Sequence, residues 1–206
     1  IMSSQNVPTH TVGSHAGTPL TNGDGQAVTY AASKDTNTQT LITDGWTSGA
    51  VTLNAGDVFT IAGVYAVNSV TKATLPFLKQ FTVVTTISDT SGDMTLTMSP
   101  AAISSGAHQT VSADIADGKA ITVLGTASTG YRQNMVYTKK AFALVSVPLV
   151  SPPGAVDVSR QTYKGTTVRV IPVYDGVNDI SKWRLDILYG VKTLDSRLAT
   201  RVSGTA

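Results

Sequence analysis

Short apolar runs alternate with polar ones along the whole chain, and their period is two far more often than 3.6. In KQFTVVTTIS (79–88), Phe81, Val83 and Thr85 fall on one face; in MTLTMS (94–99), Met94, Leu96 and Met98 share a face opposite, across the turn DTSGD (89–93). That spacing predicts a hairpin. AVTLNAGDVFTIAGVYAV (50–67) reads as two strands joined at Asn54-Ala55-Gly56-Asp57, and AVTYAAS (27–33) and KAITVLG (119–125) read as further short strands. Strands this short and this regularly punctuated predict a small antiparallel barrel or sandwich of about 100 residues. Its core is expected to hold Val58, Phe59, Ile61, Phe81, Val83, Leu96, Ile121 and Val123. Residues 1–25, with Pro8, Pro19 and the turn TNGDG, read as an extended connector. KDTNTQTLITDGWTSG (34–49) reads as a polar excursion carrying Lys34, Asp35 and Asp44.

The pattern changes after Gly130. NMVYTKKAFALVSVPLV (134–150) is almost continuously apolar around Lys139 and Lys140, and TTVRVIPVYDG (166–176) and WRLDILYGV (183–191) read as long strands. Strands without alternation are expected to be covered on both faces, as in a mixed sheet. A domain boundary is therefore placed at about residues 127–131.

Composition agrees with a β-rich scaffold. All thirteen acidic residues are aspartate, which competes with the helical backbone for hydrogen bonds and prefers caps and turns. Charge divides at the same boundary: residues 1–129 carry four Lys/Arg against eight Asp, and residues 130–206 carry eleven against five. Two units with different neighbours would account for that split. With 206 residues the chain can bury roughly 70% of its unfolded surface without staples. Cysteine is absent, which excludes disulfides, thiolate metal sites and cysteine nucleophiles. No apolar run approaches the ~20 residues of a membrane-spanning helix, and IMSSQNVPTH lacks the basic and apolar regions of a signal peptide, so the chain reads as soluble. Its start at Ile1 reads as part of something longer.

Chemistry is the weakest signal. No G-x-S-x-G, Walker or dinucleotide glycine motif occurs. His10 and His15 share the connector with Asp24, but nothing rigid fixes them for a metal. The pairs Asp114/Asp117 and Asp175/Asp179 could be a glycosidase's two carboxylates, yet turn aspartates explain them better. No catalytic, cofactor or metal residue is assigned, and no enzyme activity is expected. Trp46 marks either a sugar or protein contact or, more simply, a loop packed on its barrel. The basic surplus of residues 130–206 lacks aromatic interleaving and suits charged subunit contacts better than nucleic-acid readout.

LNAGDVFTIAGVYAVN (53–68), KQFTVV (79–84), RQNMVYTKKAFALVSVPL (132–149) and the ending WRLDILYGVKTLDSRLATRVSG (183–204), in this order and spacing, resemble the major capsid (coat) proteins of short-tailed phages of the P-twenty-two (Lederbergvirus) type. The resemblance implies the Johnson (HK-ninety-seven-like) fold: mainly β here, an antiparallel β-barrel insertion domain plus part of the mixed α/β capsomer-centre (A) domain. It implies a connector or A-domain strand at 1–13, the inserted barrel at 14–128 and the C-terminal part of the A domain at 129–206. Coats of this type are roughly twice as long, so the chain resembles a C-terminal half. The implied function is structural: a virion protein that self-assembles into an icosahedral capsid around double-stranded DNA. The implied partners are other copies of the coat protein, scaffolding and portal proteins during assembly, and packaged DNA without sequence specificity; neither a membrane nor a cofactor is implied. The implied location is the virion, assembled in the bacterial host cytoplasm. The resemblance implies that the polar excursion projects from the barrel as a loop and meets a neighbouring capsomer, as the corresponding loop does in this family, which makes Lys34, Asp35, Asp44 and Trp46 the candidate inter-subunit contacts. The rival readings are a carbohydrate- or receptor-binding β-module of a phage tail or adhesin, with Trp46 and Tyr30 as its platform, and an orphan hydrolase.

Overall fold

The computed structural model describes residues 7–49, 51–155, 157–195 and 198–204. The chain forms two compact units, one running up to Gln133 and taking in Ser203 and Gly204, the other from Asn134 to Val202. Residues 1–6 of the expected first A-domain piece lie outside the described residues.

The first unit is a nearly closed antiparallel barrel. Its six strands are β2 (Gly17–Thr21), β3 (Gln39–Trp46), β5 (Val58–Val67), β6 (Thr74–Val83), β8 (Met94–Ser99) and β9 (Ile121–Val123). They run in the order β2-β3-β8-β6-β5-β9. A bridge between Leu20 and Ala120 brings the two ends together, reinforced by Thr21 N–H on Lys119 O at 2.9 Å. Closure removes the open edges that an isolated sheet would expose. Inside lie Leu41, Phe59, Ile61, Phe81, Val83, Leu96, Met98 and Ile121. The Phe59 and Phe81 rings sit opposite each other across β5 and β6, with centroids 5.8 Å apart. A two-stranded flap, β4 (Thr52–Leu53) with β7 (Ile87–Ser88), seals one side with Leu53 and Ile87. At Gly45 the backbone is left-handed (φ 72°), and a Cβ there would meet Thr18 O at 2.5 Å; opposite it the β2 register shifts between Gly17 and Leu20. Only glycine permits that close approach.

Several sequence expectations need correction. The connector holds two strands, β1 (Thr9–Thr11) and β2. The residues expected to form a strand at 27–33 instead contain a helical turn, α1 (Tyr30–Ser33), where Ala31 and Ala32 bring no β-branched bulk. The excursion at 34–49 does not project as a loop, because residues 39–46 are β3, a barrel strand with Gln39, Leu41, Thr43 and Trp46 buried. Its polar inward residues are satisfied locally: Gln39 Oε1 accepts from Ala102 N–H at 2.6 Å, and Thr43 Oγ1 donates to Met94 O at 3.0 Å. Buried but bonded polar side chains make such a strand read as surface. The expected hairpin is short. β6 pairs with β8 only at Thr82/Ser99 and Val83/Met98, and β8 finds its main partner in β3. The chain leaves the barrel wall at Val84, so Thr85 is exposed. Val58 is half-buried, because alternation along β5 cannot place it and Phe59 on the same face; Val123 is half-buried and packs against the core from its edge.

In the second unit, β11 (Phe142–Ser146) pairs with β15 (Tyr189–Thr193), and β12 (Ser159–Tyr163), β13 (Thr166–Asp175) and β14 (Ile180–Ile187) form a three-stranded sheet. Every pairing described here is antiparallel, and the apolar runs are not covered on both faces as expected. Among its described residues Ala141, Thr167 and Ile171 are buried, whereas Leu144, Trp183, Leu185, Tyr189 and Val191 are exposed. β10 (Gly130–Tyr137) and β16 (Ala199–Ser203) carry the chain between the two units.

Candidate functional site

The candidate contact residues take up three different situations. Lys34 follows α1, and Asp35 lies in the turn beyond it; both are exposed. That turn is rigidly held. Asn37, in the left-handed region (φ 53°), donates its N–H to Ser33 O at 2.7 Å, its carbonyl accepts from Ser99 Oγ at 2.9 Å, and its Oδ1 accepts from Ala101 N–H at 3.2 Å. Asparagine tolerates that conformation, so the charged pair stands on a fixed platform. Beside it is a shallow depression of about 200 Å³ lined by Tyr30, Ser33, Lys34, Asn37, His108 and Thr110. Tyr30 and His108 stack across it at 3.6 Å, with ring planes 11° apart.

Asp44 is half-buried on β3, and its Oδ1 has no hydrogen-bond partner among the described residues. Trp46 belongs to the core: its indole N–H donates to Thr43 Oγ1 at 2.9 Å, and the residue is 5% exposed. The sequence brought Trp46 together with the charged residues, and the structure separates it from them. A sugar platform built from Trp46 and Tyr30 is therefore not available. A buried indole takes part in packing, not in recognition of a partner outside the subunit.

The aspartates considered for catalysis are engaged in turns. Asp114 Oδ1 accepts from Ala27 N–H at 2.9 Å, Asp117 Oδ1 from Gly23 N–H at 2.7 Å, and Asp179 Oδ1 from Tyr174 O–H at 2.5 Å, a bond that raises the Tyr174 phenol above its usual range. Asn178 and then Lys182 hold the Asp175 carboxyl below the usual aspartate range. Asp186 is likewise lowered, first by the Arg169 side chain and then by Arg184. His10, His15 and Asp24, within the same N-terminal segment, go to separate partners: Asp57, the Gly125 carbonyl and the Asp117 N–H. The described residues contain no group of three His or Asp side chains placed to hold a metal.

With no convergent chemistry, what remains is a barrel with a rigid charged turn and a second unit whose apolar strands stay uncovered. Sequence comparison supplies the context, for the family model described as P22 coat protein, gene protein 5, matches residues 1–200. The chain belongs to the P22 coat protein family. This coat-family chain is 29% identical over 171 residues to the major capsid protein of Acyrthosiphon pisum secondary endosymbiont phage 1, an alignment covering 78% of this chain. It spans 40% of that curated relative's length. Among solved structures, the CUS-3 coat protein I-domain is 26% identical, with 53% of this chain and 96% of that chain covered at a TM-score of 0.36. The signal missed from sequence was Asp57, read as a turn residue and found fully buried against His10.

Proposed function

We propose that this chain is part of a phage coat subunit, and that the whole protein assembles with further copies of itself into an icosahedral shell enclosing double-stranded DNA. The observation that carries this reading is the coat-family match along residues 1–200. In this reading residues 14–128 are a barrel inserted into the A domain, to which residues 1–13 and 129–206 belong. An insertion needs its two ends close together. In support, β1 and β10 lie side by side, with Thr9 opposite Arg132 and Thr11 opposite Gly130. Segments of the longer protein outside this chain would cover the exposed apolar strands of residues 134–202. Contiguous exposed apolar surface of that kind marks an interface.

Lys34 and Asp35 on the rigid turn, with Asp44 on the barrel strand β3, are the proposed contacts with neighbouring subunits. An exposed ion pair contributes only ~0.2–1 kcal/mol, but closed symmetry repeats it throughout a shell and leaves assembly reversible while it proceeds. Scaffolding and portal proteins would be met during assembly in the host cytoplasm, DNA would be enclosed without sequence readout, and the basic surplus beyond residue 130 would serve charged contacts between subunits. The test is electron microscopy of particles formed by the full-length protein, with and without charge reversal at Asp35 and Asp44. Closed shells are expected from the unaltered protein, and reduced yield or altered shape from a folded charge-reversed one. Normal shells at normal yield from the variant would remove the contact role, and no shells from the unaltered protein would remove the coat reading.

A further inference from the structure

Asp57 is the acidic side chain that is fully buried among the described residues, and its bonding is unusual for a turn aspartate. It closes the turn Asn54–Asp57 in the ordinary way, Oδ2 accepting from Asn54 N–H at 2.8 Å. Its other two donors come from over forty residues earlier: Gly13 N–H on Oδ2 at 3.0 Å and His10 Nε2 on Oδ1 at 2.7 Å. From the same turn, Asn54 Nδ2 donates to Thr11 O at 2.9 Å. The incoming strand is thus gripped at His10, Thr11 and Gly13. The grip leaves no slack, since a Cβ at Gly13 would lie 2.0 Å from Thr52 O. On its other edge the same strand pairs with the outgoing strand β10, His10 opposite Tyr131, and Val12 N–H donates to Thr129 O at 3.0 Å.

We propose that the Asp57–His10 pair is a latch that locks the neck of the barrel, strands β1 and β10, to the barrel body, and that the neck opens independently when the latch is lost. A carboxylate withdrawn from water depends on its donors, and removing one leaves lone pairs unsatisfied at a cost the neighbourhood must relieve. The neck can relieve it most cheaply. Residues 7–13 contribute only Val12 to the buried apolar residues, whereas the barrel interior rests on Phe59, Phe81, Leu41 and Leu96. Local opening follows the weaker element. With the latch closed, neck and barrel are one body; with it open, the barrel hangs on its two connecting strands.

The test is amide hydrogen exchange on the 206-residue chain and its His10→Ala, His10→Gln and Asp57→Ala variants. Neck reporters are the Val12 and Gln133 amides, bonded to Thr129 O and Pro8 O; barrel reporters are Thr21 and Ala62, bonded to Lys119 O and Ala120 O. In His10→Ala the neck amides should exchange about tenfold faster or more while the barrel amides stay within about threefold. His10→Gln, which keeps an N–H donor, should recover most of that protection. Asp57→Ala, which also removes the acceptor of Gly13 N–H, should speed the neck amides at least as much as His10→Ala, even if it also weakens the barrel. Neck amides unchanged in His10→Ala, neck and barrel amides accelerated together, or no recovery with Gln would each overturn the latch.

Discussion

Phe81→Ala tests the barrel core at its centre. Phe81 is fully buried, faces inward on β6 and lies opposite Phe59 on β5 with centroids 5.8 Å apart. Truncation removes the whole ring and leaves a cavity that β-strands locked in a closed sheet cannot collapse around, so the cost should be ~3–5 kcal/mol. That is a large part of the roughly 5–15 kcal/mol that holds a domain together. With a urea slope of about 1–3 kcal/mol/M, a loss of about 4 kcal/mol moves the midpoint down by roughly 1.3–4 M. Urea titration followed by circular dichroism reads it directly. Phe77→Ala is the control, for Phe77 lies on the same strand but is 57% exposed, and its replacement should change stability by under about 0.5 kcal/mol. A double mutant with Phe59→Ala should show coupling of ~0.5–1.5 kcal/mol from the ring pair. Equal small shifts for Phe81→Ala and Phe77→Ala would refute the barrel's inside-outside assignment.

Gly13→Ala should destabilise the first unit by about 1–3 kcal/mol or more, read by the same titration, because its Cβ would collide with the Thr52 carbonyl. Asp89 accepts from the backbone N–H groups of Gly49 and then Val51, which hold its carboxyl below the usual aspartate range. Its stabilising contribution is therefore present above the ordinary aspartate value and lost as pH falls through the lower folded value. Asp89→Asn should flatten that acid limb in urea midpoints taken between about pH 2 and 5. Trp183→Ser and Leu185→Ser should change the stability of this chain by under about 0.5 kcal/mol while lowering its binding of hydrophobic dyes, whereas in the full-length protein, where these side chains would be covered, each should cost ~2 kcal/mol. Limited proteolysis should cut after Lys139, Lys140, Arg160 and Lys164 before it cuts within residues 18–128. Equal resistance in a monomeric sample would mean that residues 134–202 are complete by themselves.

The barrel was legible where residue type and position agree. Phe59, Ile61, Phe81 and Leu96 alternate with polar neighbours and lie inside, as the period of two requires. β3 was illegible because Gln39 and Thr43 are polar side chains satisfied inside the barrel, and local patterning counts such residues as surface. The pairing of β8 with β3 was hidden for a related reason: a turn sequence reports that the chain reverses, while the partner of a barrel strand is settled by closure far along the chain. The second unit's apolar runs were visible, but their covering was not, since it depends on what lies against them. Of the candidate contacts, the exposure of Lys34 and Asp35 follows from their turn-forming neighbourhood, whereas the burial of Trp46 follows from β3. His10 with Asp57 could not be foreseen, because a separation of 47 residues carries no local signal.

The coat reading is tested most directly by protein composition of purified phage particles from the native source, with peptides of this chain counted by quantitative mass spectrometry against the packaged genome. The account predicts that peptides of this chain belong to the most abundant protein of the DNA-filled particle and remain with the shell when tails are removed. Peptides found at tail stoichiometry, lost with the tails, or absent from particles altogether would contradict it.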